Sequence, residues 1–177
     1  MKLNIRDGFH LTSIRPTDKA AYLEHLKDKS ISDLIPVIPY PYTEVAADWW
    51  IQRRLEFLRK SGREISFAIR NPEGYLIGSM GADDFKVGKE HKAEIGYWLS
   101  QAYRGQGLVT DALSVFIQYA FDNLEVIRLT AHILDFNIPS MKVLEKNRFK
   151  LEGCLRQHTK TRNGIFNTLA YGLLKDE

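Results

Sequence analysis

One cysteine, Cys154, is all the chain carries. No disulfide can form within it, and that scarcity fits a reducing, cytoplasmic setting. No run approaches the roughly 18 apolar residues that a membrane-crossing helix needs. The start, Met1-Lys2-Leu3-Asn4-Ile5-Arg6, lacks an apolar signal core, so export is not expected. Charge of one sign is also scarce: 25 Lys and Arg against 22 Asp and Glu leave a net +3. The basic runs Lys146-Asn147-Arg148 and Lys160-Thr161-Arg162 are too short for the clustered face of a nucleic-acid binder. A mild positive balance does suit an anionic, phosphorylated ligand. The histidines (His10, His25, His91, His132, His158) show no metal-ligand spacing, so no metal is expected. Repeats, low-complexity segments and linkers are missing too. What is present is 177 residues, 44% hydrophobic and 27% charged, enough for a single domain over 1–177 with a real core.

Residues 9–15 alternate in polarity and predict a strand stopped by Pro16, and Thr17 reads as the N-cap of a helix through Leu26. Residues 31–42 hold Pro36, Pro39 and Pro41 and read as irregular, because proline cannot donate to a ladder or sit inside a helix. Thr43 caps a helix over Glu44–Lys60 with Ala47, Trp50, Leu55 and Leu58 on its apolar side, ended by Ser61-Gly62. Strands are predicted at 64–70 and 75–85, joined by Asn71-Pro72-Glu73-Gly74, and at 91–99. A glycine loop at 103–107 opens a helix over Leu108–Asn123, whose Leu113, Phe116, Ile117 and Ala120 keep helical spacing. A strand at 126–133, a helix at 138–147 with Pro139 in its first turn, and strands at 149–160 and 165–174 complete the chain. Asn163-Gly164 between the last two is a strong hairpin signal. The order β-α-α-β-β-β-α-β-α-β-β is a mixed α/β domain.

The loop Tyr103-Arg104-Gly105-Gln106-Gly107-Leu108 leaves a strand and opens a helix, so its backbone N–H groups can converge on an anion. Glycine lets backbone approach a phosphate with no Cβ in the way. It is not a Walker loop, since no Gly-Lys-Ser/Thr follows, and it lacks the third glycine of a dinucleotide fingerprint. By itself it also reads as a plain glycine turn.

With its neighbours the loop carries a specific resemblance. Residues 92–113, KAEIGYWLSQAYRGQGLVTDAL, resemble the acetyl-CoA motif of GNAT N-acetyltransferases, in particular the RimJ/RimL type. The run Asn137-Ile138-Pro139-Ser140 with the helix after it is similar to the second GNAT motif, and Phe149-Lys150-Leu151-Glu152-Gly153 and the hairpin ending in Tyr171 continue the match. The resemblance implies a GNAT fold: a mixed, mostly antiparallel twisted sheet flanked by helices and splayed at its central strands. It implies acetyl-CoA as cofactor. Backbone at Trp98 and Leu99 would pair with the pantetheine arm. The amides of Arg104, Gly105, Gln106, Gly107, Leu108, Val109 and Thr110 would hold the pyrophosphate. Asn137 would bond the arm and Ser140 would sit near the sulfur. Three positions depart from the family pattern. Val109 stands where Ala or Gly is usual, Arg148 where a helix-ending Gly is usual (Asn147 being able to take the left-handed cap), and Asn167 where an Asp is common.

Acetyl transfer to an amine needs a neutral nucleophile, a home for the oxyanion and a proton for the thiolate. Glu94 is the candidate base, alone or through water; the plainer alternative is a strand carboxylate that anchors a loop. A backbone N–H near Trp98–Leu99 could serve the oxyanion. Ser140 is the candidate acid, or a cap of its helix. Tyr171 is a lesser acid candidate or a packed aromatic, and Cys154 reads as core. Tyr40, Tyr42 and Trp50 form the expected acceptor-side wall, with Trp50 as plain core the alternative. The expected acceptor is a protein N-terminal amine. A small-molecule amine, or an acetyl-CoA-binding module without catalysis, are the other readings, and the long C-terminal hairpin could pair across a homodimer. No nucleic-acid or membrane partner is expected.

Overall fold

This computed structural model describes residues 1–82 and 91–177. In chain order the elements are β1 (Lys2–Asn4), β2 (His10–Ser13), a 3₁₀ turn (Pro16–Asp18), α1 (Lys19–His25), α2 (Lys29–Leu34) and α3 (Glu44–Ser61). Then come β3 (Ser66–Arg70), β4 (Leu76–Ala82), β5 (Lys92–Leu99), a second 3₁₀ turn (Gln101–Tyr103) and α4 (Leu108–Asn123). The chain closes with β6 (Arg128–Leu134), α5 (Ile138–Lys146), β7 (Lys150–Thr161) and β8 (Gly164–Leu174). The strands form one sheet in the order β1-β2-β3-β4-β5-β6-β8-β7.

Neighbouring strands run antiparallel except β5 and β6, which are parallel. A parallel pair needs a crossover connection, and α4 supplies it. The parallel pairing is short: Lys92↔Arg128, Ala93↔Leu129 and Glu94↔Thr130. Past Glu94 the two strands part, although β5 continues to Leu99 and β6 to Leu134. The expected splay is this gap.

Two apolar clusters cover the two faces of the sheet. One joins Phe67, Ile69, Ile95 and Leu99 to Leu113 and Phe116 of α4 and Leu144 of α5. The other joins Ala68 and Trp98 to Tyr22 of α1, Ile31 of α2, and Ala47 and Ile51 of α3. Side chains alternate along a strand, so Leu99 and Trp98 necessarily serve opposite faces. Every residue of β3 is buried, as a strand covered on both sides must be. Its Arg70 is 2% exposed and reaches both carboxylate oxygens of Asp18 at 2.8 and 2.9 Å. A buried cation of this kind is tolerated only when paired, and this pair ties α1 to the sheet.

The helix over Glu44–Ser61 starts and ends as its sequence predicts. Thr43 accepts from the Ala46 N–H at 3.3 Å, and Gly62 closes it at φ +68°. Its buried face is Ala47, Ile51 and Arg54, with Trp50, Leu55 and Leu58 only partly buried. The segment 31–42 is not irregular throughout. Asp28 accepts from the Ser30 N–H at 2.9 Å and caps α2, which fits because the first proline comes only at Pro36. Thr17 is not a cap: it lies inside the 3₁₀ turn, and Asp18 accepts from the Arg15 N–H at 2.7 Å instead. The short edge strand β1 carries no pattern long enough to be predicted. Of the strand expected at 75–85, residues 83–85 lie outside the described residues.

The hairpin signal marks a two-residue loop, Arg162-Asn163, with Thr161 paired to Gly164. Cys154 is exposed, not core, because β7 is the sheet's edge and its first nine residues are exposed. After α5 the left-handed residue is Arg148 at φ +66°, not Asn147 at φ −97°. Asn147 is instead buried, its amide donating to the carbonyls of Thr110 and Val143 at 3.1 and 2.9 Å.

Candidate active site

The glycine loop sits at the mouth of the gap between β5 and β6. Gly105 and Gly107 have φ of +77° and +76°, a conformation that costs other L-residues about 1–2 kcal/mol. No atom of the described residues stands within 4 Å of a Cβ built on either, so the dihedral demands glycine. Gly107 is the N-cap of α4 and brings no side-chain cap. The first-turn amides therefore keep their hydrogen-bonding capacity at the positive end of the helix, an arrangement suited to an anion.

Side chains brace this loop from three directions. Arg104 turns back: its Nε donates to the Leu99 carbonyl at 2.9 Å, and its terminal nitrogens reach Ser30 Oγ at 3.0 Å and Asp28 at 3.2 Å. Arg6 donates to the Gln106 carbonyl and pairs with Asp111 at 2.9 Å. Asn147, at the end of α5, holds the Thr110 carbonyl. Val109 is half-buried and leaves the main-chain donors untouched.

Inside the gap, strand alternation decides which backbone groups are on offer. The Ser100 N–H donates to the Ile77 carbonyl on β4 at 2.8 Å. The Trp98 carbonyl also turns to β4, close enough that a Cβ on Gly78 would stand 2.6 Å from it. Successive residues of a strand point their N–H and C=O groups to opposite sides. Tyr97 and Leu99 therefore face the gap, and Trp98 does not. Of the expected pair, Leu99 offers its backbone to the gap, while Trp98 turns its carbonyl to β4.

On the α5 side of the gap, Asn137 caps the helix. Its Oδ1 accepts from the Ser140 N–H at 3.3 Å, and its Nδ2 makes no hydrogen bond among the described residues. Capping thus belongs to Asn137, and the Ser140 hydroxyl is released for another partner. That partner is the Tyr97 hydroxyl, 2.7 Å away. Burial pushes the Tyr97 phenol up to about 12, against the opposing pull of its bond to Ser140, so it stays neutral, and either hydroxyl can donate in this pair. Tyr171 is 2% exposed and donates to Glu145 at 3.3 Å, as a packed aromatic would.

On the opposite face, Glu94 Oε2 lies 3.0 Å from His132 Nδ1. The His158 ring stacks on His132 with centroids 6.4 Å apart. A little further out, Trp50 Nε1 donates to the Tyr22 hydroxyl at 3.1 Å and its ring lies under the Arg54 guanidinium at 4.3 Å. Burial raises the phenol of half-buried Tyr42 well above its usual range. Tyr40 lies 4.3 Å beneath the guanidinium of Arg162, at the β7–β8 hairpin tip. Arg162 also grips Asp33 at 2.6 Å and Ser32 at 2.9 Å and holds the Asp33 carboxyl below its ordinary value. The hairpin therefore leans onto α2 and the proline segment. Asn167 bridges β8 to Asp135 at 2.9 Å and accepts from the Gln157 N–H at 3.0 Å, a neutral structural link that needs no carboxylate.

Sequence reasoning missed two groups. Tyr97 was visible inside the Glu-Ile-Gly-Tyr-Trp strand, and the alternation of that strand puts it on the face opposite Glu94. His132 had no sequence signal, because its partner lies 38 positions earlier on a strand whose pairing only the fold reveals. Among the described residues no cluster of metal-ligating side chains occurs, and no helix is long and apolar enough to cross a membrane.

Comparison with known proteins adds to this geometry. Residues 9–150 match the model of the acetyltransferase (GNAT) domain family. The probable N-acetyltransferase YjcK of Bacillus subtilis is 37% identical over 91 residues, covering 51% of this chain and 50% of that protein. The ribosomal-protein-serine acetyltransferase of Escherichia coli is 40% identical over 65 residues, covering 37% of this chain and 36% of that protein. The alignments thus span half or less of these two relatives. Among solved structures, RimL, a ribosomal L7/L12 alpha-N-protein acetyltransferase in complex with coenzyme A, superposes with a TM-score of 0.88. It is 17% identical, with 99% of each chain covered.

Proposed function

Because the chain belongs to the GNAT acetyltransferase family, whose members use acetyl-CoA, we propose that it transfers an acetyl group to the α-amino group of a protein N-terminus. Acetyl-CoA would supply the acyl group as an activated thioester. The observation that carries the reading is the gap between β5 and β6, with Ser140 and Tyr97 on one face and Glu94 on the other.

The amides from Arg104 to Thr110 bind the pyrophosphate. The backbone of Tyr97 and Leu99 adds the pantetheine arm to the β5 edge, with Nδ2 of Asn137 on its other side. The Leu99 N–H faces the oxyanion, and such a donor fixed in advance typically contributes about 2.7–4 kcal/mol. Ser140, backed by the neutral Tyr97 phenol, protonates the departing sulfur. Glu94 serves the acceptor side. Tyr40, Tyr42 and Trp50 line the approach of the acceptor.

The similarity to the Escherichia coli ribosomal-protein-serine enzyme supports a protein acceptor. So does chemistry: an α-amine has a reference pKa of about 7.7–8.0 against about 10.4 for lysine, so it asks less of a base. The test is acetyl-CoA turnover against peptides with free and blocked N-termini, with mass spectrometry of the products. Acetylation of free termini only is expected. Transfer to lysine side chains or small amines alone would redirect the reading, and tight coenzyme A binding with no transfer at all would end it.

A further inference from the structure

We propose that His132 Nε2, not the Glu94 carboxylate, takes the proton from the incoming ammonium group, and that Glu94 is the positioning residue behind it. The inference rests on the acetyl-transfer reading above and specifies the proton acceptor in that site.

The Glu94 Oε2 to His132 Nδ1 distance is 3.0 Å. A carboxylate can only accept, so Nδ1 carries the hydrogen in this pair and the neutral ring keeps its lone pair on Nε2. With one oxygen committed to the imidazole, Glu94 is the orienting member, as a carboxylate behind a histidine is in other acyl-transfer sites.

Position supports the same assignment. Glu94↔Thr130 is the last pair before β5 and β6 part, and His132 is two residues beyond Thr130. Glu94, Gly96, Thr130 and His132 share one face by alternation. Gly96 is exposed, and no atom of the described residues lies within 4 Å of a Cβ built there. Open space therefore adjoins the pair on the face opposite Ser140 and Tyr97. His132 is exposed in a sheet whose neighbouring residues Leu129, Ala131 and Leu134 are buried. Among the described residues, the charged and titratable groups around it are Glu94 from β5, His158 stacked from β7, and the Glu152–Arg128 pair from β7 and β6. Glu152 and Arg128 neutralise each other, so among the described residues Glu94 is the anion left to support an imidazolium.

The proton balance closes. The acceptor R–NH₃⁺ gives one proton to Nε2 of His132, which later releases it to water. The neutral nitrogen then forms the C–N bond as the C–S bond breaks. The second nitrogen proton leaves and ends on the departing sulfur, giving the free thiol.

The test compares wild type, His132→Gln and Glu94→Gln on a peptide with a free N-terminal serine, together with calorimetric coenzyme A binding and ¹⁵N NMR of the wild-type imidazoles. At pH 7, His132→Gln should lower kcat about 100-fold with coenzyme A affinity unchanged. The loss should shrink near pH 9.5, where the acceptor is already neutral. Glu94→Gln should lower kcat less, and the NMR should place the His132 hydrogen on Nδ1. Full kcat in His132→Gln beside a collapsed Glu94→Gln, or a hydrogen on Nε2 in the wild type, overturns the proposal. The NMR readout stands even where a variant fails to fold. Absence of transfer by the wild type would instead overturn the functional reading, so the two failures are distinguishable.

Discussion

The two sides of the β5–β6 gap are built from different material. The glycine loop offers main chain: amides, two left-handed glycines and a helix start, with side chains bracing it from behind. The groups proposed for the chemistry are side chains drawn from separate elements: Ser140 from α5 against Tyr97 from β5, and Glu94 from β5 against His132 from β6. A main-chain site tolerates changes of side chain, which is why Val109 can depart from the family pattern without cost to the donors. A side-chain site tolerates almost none.

The sharpest way to break the second side is Ser140→Ala. It should lower kcat by about 100-fold, in the range of a lost general acid, while coenzyme A affinity measured by calorimetry stays within about threefold. An equal fall in both would place Ser140 with the binding groups. The matching break on the main-chain side is Gly107→Val. Its φ of +76° makes a branched side chain cost at least about 1.4 kcal/mol, or roughly tenfold in coenzyme A affinity. Gln106→Ala, one residue away, should stay within about twofold, since its side chain turns back to the Ala102 carbonyl at 3.4 Å.

Smaller still is Arg148→Gly. Glycine adopts a φ of +66° freely, so chemical denaturation should show a gain of about 0.5–1 kcal/mol with kinetics unchanged. The smallest effect concerns alkali. Burial raises the phenols of Tyr97 and Tyr22 from 10 to about 12. A raised acid favours the folded state below its unfolded value, so their contribution is whole under pH 10 and lost between pH 10 and about 12. Ultraviolet tyrosine titration should show late phenols at Tyr22 and Tyr97 alongside the raised Tyr42, Tyr75, Tyr119 and Tyr171, and Tyr97→Phe should remove one of them and soften the alkaline loss of melting temperature.

The same contrast explains what could be read in advance. The helix Leu108–Asn123 was predicted to the residue, because its apolar spacing and the glycines before it are local signals. The Thr43 cap, the Gly62 stop and the hairpin position were legible for the same reason. The 28–34 helix was hidden by the prolines that follow it. The exposure of Cys154 was hidden because nothing local says that β7 is an edge. Asn147 is the left-handed cap that the sequence suggests, yet Arg148, standing where a glycine is usual, takes that conformation itself, leaving Asn147 buried and bonded to Thr110.

The sequence by itself determined the periodic elements, the glycine loop and the motif order that marks the GNAT family, since each depends on residues within a few positions of one another. Only the tertiary structure decided that β5 and β6 part after Glu94, that Tyr97 rather than Trp98 faces the gap, and that Glu94 meets His132. Those facts depend on strand register and on which edge each backbone group faces, and register is set by the packing of the whole sheet.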